Sequence, residues 1–241
     1  HYFHGKLTKQ HLDNISSTRP IIIIHRSFHE FILNTPAMKL LGINKEAFND
    51  LEEGNHLANF DDGHFSERGA IIVLPKLMEV LASPKALIEG FQKTRDYLHS
   101  NGITVIGNPG SMYNKGLQTA KNLIFGNVDS PFESYFFPSA LNISEQFKLN
   151  EVLDAAKEQT SWGTGKLNYL PKHIKLFADG AMYSQNMVMR DGYIDNHEGS
   201  WLMSLDTFEN LFKVFWDDGY QIHIHQNGDA GLDRLLKTLE K

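Results

Sequence analysis

The sequence predicts an α/β protein built on a parallel sheet, and three observations carry that expectation. From about residue 86 onward, helix-like and strand-like stretches alternate, which is the order that builds parallel sheets, as a barrel or a doubly wound sheet. Two of those strands, HIKLFADG at 173–180 and QIHIHQNGD at 221–229, are apolar on one face. Their other faces carry Lys175, Phe177, Asp179, His223 and His225. Strands flanked by helices are normally apolar on both faces, and the carboxyl ends of such strands are where α/β folds keep their chemistry. Third, the chain is ordinary in composition: 241 residues, 41% hydrophobic and 22% charged. That length suffices for one large barrel or two smaller domains.

The totals exclude several classes of function. A net charge of -6 without long charge runs argues against nucleic acid as a partner. Apolar runs such as Ile21–Ile24 are far too short to span a membrane. With no cysteine, disulfides, thiolate metal sites and a cysteine nucleophile are all excluded. Twelve histidines make His, carboxylate or modified Lys the available metal ligands. The chain starts at His1 without Met and stops inside a helix pattern at Lys241, so it reads as an internal fragment.

Taken in order, Thr8 caps a short helix over 10–15, and Ile21–Ile24 reads as a buried strand. His25 and His29 follow in a strand continuation or turn. Ala37–Leu41 is a short helix closed by Gly42. A helix is expected at Glu46–Glu52 and a turn at Asp61-Asp62-Gly63. His64 and Glu67 read first as polar surface, with a site as the second reading. Pro75–Leu81 and Ala86–Leu98 are helix patterns, and Ile103–Ile106 is a buried strand. The Gly107-Asn108-Pro109-Gly110 stretch matches no nucleotide-binding fingerprint and reads as a tight turn. A helix at 117–123, a strand at 133–137 and a helix at 147–158 come next. Beyond strand 173–180, residues 181–200 form a long polar connection of the kind that serves as an active-site lid. Asp206, with Glu209 three residues on, caps the next helix, whose stripe is Phe208, Leu211, Phe212 and Phe215. Leu232, Leu235, Leu236 and Leu239 mark the last helix.

A lysine inside a sheet needs a partner or must lose its charge. For Lys175 a salt bridge ranks first on the residues alone. A depressed pKa with Schiff-base chemistry, or carboxylation to an anionic carbamate, are the other two solutions. The paired histidines read equally well as hydrogen-bonded core residues and as site residues.

KLFADGAM at 175–182 together with HQNGD at 225–229 resembles the amidohydrolase superfamily. The branch it looks most like is amidohydrolase family 3, the YtcJ-like, N-substituted formamide deformylase-like group. LDNISSTRPIII at 12–23, HEFILNTPAMKLLGI at 29–43 and NGITVIG at 101–107 agree more loosely, so the resemblance covers nearly the whole chain. It implies a partial (β/α)8 TIM barrel, about strands two to five, over 85–241. Residues 1–84 would be a mixed α+β segment inserted between barrel strands one and two. It also implies a metal-dependent hydrolase of amide or other C–N bonds, in which a metal-activated water attacks a carbonyl.

Carried over residue by residue, Lys175 and His225 would be metal ligands, Lys175 in carboxylated form. His29, Asp179 and Asp229 would lie at the substrate, the two aspartates with an equal claim to fixing loops. His223 would be a supporting or core imidazole. One or two divalent ions, zinc first, are the implied cofactors, and a small amide-type molecule is the implied substrate. The strand-one His pair, the strand-six His and the general-base Asp of the pattern lie outside this sequence, so the fragment is expected to be inactive alone. A cytoplasmic location is favoured over a periplasmic one, and open strand edges favour a homo-oligomer. The competing readings are a non-catalytic binding or regulatory relative and a Schiff-base lyase using Lys175.

Overall fold

A computed structural model describes residues 5–48 and 57–240. The chain falls into two compact units. One comprises residues 1–82 and 180–202, the other 83–179 and 203–241. The segment read from the sequence as a long connection is therefore part of the first unit.

The first unit begins with helix α1 (Lys9–Ile15), which Thr8 caps. His11 completes that cap, its Nδ1 accepting from the Thr8 backbone N–H at 3.2 Å. Next come strands β1 (Ile22–Ile24) and β2 (Glu30–Leu33), helix α2 (Thr35–Leu40), strands β3 (Ala58–Asn59) and β4 (His64–Ser66), and helix α3 (Arg68–Leu81). The strands form an antiparallel sheet in the order β1-β2-β4-β3. Ile32 pairs with Ile23 on one side and His64 on the other, so these three share a face with Glu30. The opposite face carries Phe31, Leu33 and Phe65, all buried against α2 and α3 residues such as Ala37 and Val73. Because β1 is an edge strand, Ile23 stays 39% exposed, and the buried strand expected at 21–24 is a partly open one. The helix expected at 46–52 is a short 3-10 turn at Lys45–Phe48, and its remainder lies outside the described residues.

The second unit holds helix α4 (Pro84–Ser100), strand β5 (Val105–Ser111), helix α5 (Lys115–Phe125), strand β6 (Glu133–Pro138), helices α6 (Ala140–Ser144) and α7 (Val152–Thr160) and strand β7 (Leu167–Tyr169). Strand β8 (His173–Phe177), helix α8 (Leu205–Asp217), strand β9 (Gln221–His225) and helix α9 (Asp229–Leu239) complete it. Every strand pairing here is parallel: β5 with β6, β6 with β7, and β8 with β9. A parallel bridge from Ser139 to Lys175 links the end of β6 to β8. The core lies between sheet and helices. Ile174, Leu176 and Ala178 are buried against Phe208, Leu211 and Phe215 of α8, whose apolar stripe is the one the sequence predicts.

Several local expectations change. Gly107–Pro109 is strand, paired in parallel with Tyr135–Phe137, and the register shifts between Pro109 and Ser111, which places a bulge at Gly110. Val105, at the start of this strand, is 59% exposed. The helix expected at 147–158 starts later, as α7 at Val152–Thr160, with a turn over 148–151 before it. Ser204, not Asp206, caps α8, its Oγ accepting from Thr207 N–H at 3.1 Å. On α9 the leucines Leu232, Leu236 and Leu239 are exposed, while Gly231, Arg234 and Thr238 form the buried side. No helix among the described residues is long and apolar enough to cross a membrane.

Candidate functional site

In the second unit, register decides what the site strands present. Lys175 lies opposite His223 and Phe177 opposite His225. Side chains alternate along a strand, so His173, Lys175 and Phe177 share one face with Gln221, His223 and His225. Lys175 and His225, the two expected metal ligands, thus stand on one face of adjacent strands, two register positions apart.

Lys175 is half-buried with its Nζ 5.3 Å from the Phe177 ring centre. Among the described residues it has no carboxylate partner, so the salt bridge ranked first from sequence is not formed. Burial alone pushes its pKa below the ordinary lysine value. Room for this side chain comes from Gly110. Its φ is +97°, and a Cβ there would lie 3.2 Å from Lys175 Cγ.

His223 stacks on Phe137 at 4.4 Å and on His173 at 5.1 Å, and those two rings also meet each other at 5.9 Å. Its Nε2 shares a hydrogen bond with His173 Nδ1 at 2.9 Å, so one ring donates and the other accepts. Burial, then His173 and Lys175, pushes the His223 pKa down. This histidine is a packed, supporting residue, the core reading of the pair. His225 is different, since its Nε2 meets the Asn227 side chain at 2.9 Å. Asn227 is a polar neighbour that sequence reasoning missed, although the Gln226-Asn227-Gly228 turn directly after the strand was the available signal.

Asp179 is fully buried. Its two carboxylate oxygens accept from the backbone N–H groups of Asn227 at 2.9 Å and Gly228 at 2.7 Å. It thereby holds the turn that follows His225. Gly231 on the first turn of α9 permits this approach, because a Cβ there would sit 2.9 Å from Asp179 Cγ. Asp229 begins α9, where a carboxylate suits the helix N-terminus, and its Oδ1 accepts from Ala230 N–H at 2.9 Å.

His29 belongs to the first unit, in the turn between β1 and β2. Its Nδ1 donates to Glu67 Oε2 at 3.0 Å. Glu67 is only 3% exposed and also accepts from Ala181 N–H at 2.9 Å and Ser184 Oγ–H. The bond to Glu67 raises the His29 pKa above its ordinary value, against the effect of burial. For Glu67, burial pushes the pKa up, but bonds from His29, Ser184 and Ala181 outweigh it and the net shift is down. A second pair sits alongside: His64 Nε2 and Glu30 Oε2 at 2.9 Å. Glu30 and Ile32 line a cavity of about 460 Å³ with Leu7, His11, Ile23 and His25. An adjoining space of about 430 Å³, which shares Glu30, Ile32 and Leu7, is lined also by His64, Tyr183 and Ser184. Sequence reading left Glu67 and His64 as polar surface, whereas both are paired and largely buried.

Whether these residues can hold a metal is a question of donors. Lys175 and His225 supply two on one face, and Lys175 only once it has lost its proton or gained a carboxylate group. Among the described residues no group of three His, Asp or Glu side chains is placed to share an ion. The residues present therefore do not complete a metal site by themselves.

No curated protein matches the chain. Two solved structures resemble it. An uncharacterized metal-dependent hydrolase from Pyrococcus horikoshii OT3 superposes with a TM-score of 0.62 at 17% identity, covering 98% of this chain and 44% of that one. An uncharacterized metal-dependent hydrolase from Pyrococcus furiosus gives 0.58 at 19% identity, with 98% and 46% covered. At such identities the likeness is one of fold, and the chain spans less than half the length of either structure. The profile of the Amidohydrolase family matches residues 2–241, and with a match over nearly its whole length the chain belongs to that family.

Proposed function

We propose that the protein carrying this chain is a metal-dependent hydrolase of amide or related C–N bonds, and that this chain alone does not turn over substrate. The observation that carries the reading is the placement of Lys175 and His225 on one face of adjacent parallel strands, in a chain of the amidohydrolase family. In this reading β5, β6, β8 and β9 are strands two to five of a (β/α)8 barrel, and residues 1–84 are an insert before them. Lys175 and His225 are two of the ligands to one or two divalent ions, zinc first among them. The remaining ligands and the general base lie outside this sequence.

Lys175 suits carboxylation because burial without an acid partner favours its neutral amine. That amine adds carbon dioxide and releases a proton to become an anionic, two-oxygen ligand. Asp179 fixes the turn after His225, so the imidazole and Asn227 are held at the strand end. Asp229 lies at the start of α9 beside that turn. His29 offers a proton or a lone pair to a substrate polar group.

A neutral Lys175 would equally suit a Schiff base, which is the second reading. Elemental analysis of the intact protein and its Lys175→Ala variant separates the two. Near one or two equivalents of a divalent ion, lost or halved in the variant, is the expected result. No bound metal after reconstitution with bicarbonate, together with borohydride trapping of a carbonyl compound on Lys175, would replace hydrolysis by lyase chemistry.

A further inference from the structure

Glu67 occupies the position before the first turn of α3, where a short polar side chain would normally cap the helix. Its side chain makes no cap bond. Its backbone lies at φ +46°, ψ -113°, a costly conformation for a residue with a Cβ. Helix formation therefore explains neither the residue nor its geometry. What the geometry achieves is a fivefold attachment counted bond by bond. The Glu67 N–H donates to His29 O at 2.9 Å, and Ile71 N–H donates to Glu67 O at 2.9 Å. The carboxylate then takes the ring of His29, the backbone of Ala181 and the hydroxyl of Ser184.

We propose that Glu67 is a positioning residue: its buried carboxylate fixes a proton on His29 Nδ1, leaves Nε2 to a substrate polar group, and pins residues 181–184 to the same point. The proposal rests on the reading of His29 as a substrate-contacting residue. An ionised carboxylate only accepts, so the proton in the 3.0 Å contact belongs to the ring. A ring so held has one nitrogen left to a ligand, and its orientation is fixed by a group that never touches that ligand. When the ring is charged, Nε2–H donates; when it is neutral, Nε2 accepts. The other acid near the ring is Glu30, whose own carboxylate is engaged by His64 and lies within reach of the charge of His25. Ala181 and Ser184 open the segment 180–202, so the group that orients His29 also sets where that segment starts.

The test is 1H–15N NMR of the His29 ring in the full chain, which needs neither metal nor substrate. In the wild type, neutral His29 is expected as the Nδ1–H tautomer. In Glu67→Gln, which keeps an acceptor for Ala181 but removes the charge, the His29 pKa is expected to fall from its raised value toward the ordinary histidine value. Limited proteolysis within 181–202 is expected to quicken in Glu67→Gln and, less strongly, in Ser184→Ala. A wild-type Nε2–H tautomer overturns the proposal whether or not the variants fold, as does an unmoved His29 pKa in a folded Glu67→Gln. In the intact hydrolase, Glu67→Gln should move the His29 limb of the kcat/KM pH profile by the same amount. An unmoved limb alongside a moved NMR pKa removes the substrate contact. Absence of hydrolysis by the wild-type intact protein, with the tautomer as expected, refutes the proposed function and leaves the positioning role standing.

Discussion

Glu67 in one unit and Lys175 in the other are both ionisable groups withdrawn from water, and the chain treats them in opposite ways. Glu67 is surrounded by three donors and stays charged despite burial. Lys175 is given an aromatic ring, a glycine and no acid, and burial shifts it toward its neutral form. The comparison teaches how to separate a charge kept for structure and orientation from an amine kept for chemistry. A satisfied charge is held in place, while an unsatisfied one is prepared to lose its proton or to react.

The strongest way to break this comparison is Glu67→Ala. It leaves His29 and two buried donors without their acceptor and should cost on the order of 4 kcal/mol in chemical denaturation, felt in the first unit. A loss under about 1 kcal/mol would mean that the three bonds are weak. Next, Asp179→Ala removes a fully buried carboxylate from two backbone N–H groups, with an expected cost of about 3 kcal/mol. Faster hydrogen exchange at Asn227 and Gly228 should accompany it. Gly110→Ala is expected to cost about 1 to 2 kcal/mol, because φ is +97° and the new methyl crowds Lys175. Lys175→Met should lie within about 1 kcal/mol of neutral in stability, since an apolar side chain suits the Phe177 contact. A cost comparable to Glu67→Ala would show that Lys175 has a structural partner after all.

The gentlest probe is pH. The folded-state pKa of Glu67 is lowered below 4.5, so its contribution is present above that value and is lost as pH falls through the folded-state pKa. For His29 the folded-state pKa is raised above 6.5, so its contribution is full below 6.5 and is lost as pH rises through the folded-state value. Lys175 has a folded-state pKa below 10.5, and the second unit should gain stability as pH climbs from there toward 10.5. Domain-resolved hydrogen exchange should therefore show the first unit weakening as pH rises through the His29 value, and the second strengthening only at higher pH, toward 10.5.

What could be read from sequence follows the same division. The second unit was legible because its helices carry 3.6-residue stripes and its site strands alternate, as in Phe208–Phe215 and His173–Phe177. Lys175, His225 and Asp179 stood out there because charged residues interrupt a buried pattern. The Gly107–Gly110 stretch reads as a turn because glycine and proline signal turns locally, whereas here they sit in a strand with a bulge at Gly110. The first unit was less legible. Its strands are two to four residues long, too short for periodicity to declare itself. Glu67 was passed over because its partners lie 38, 114 and 117 residues away, and no local pattern encodes such contacts.

Those separations have a consequence for synthesis. As the chain emerges from the ribosome, Glu67 appears long before Ala181 and Ser184, and residues 83–179 must be made in between. Contacts so distant in sequence form slowly, because the intervening loop must be closed before they stabilise anything. Until then the carboxylate stays hydrated and the strained backbone at residue 67 is uncompensated. The nascent first unit should therefore remain protease-sensitive until residue 184 clears the exit tunnel, and close only then.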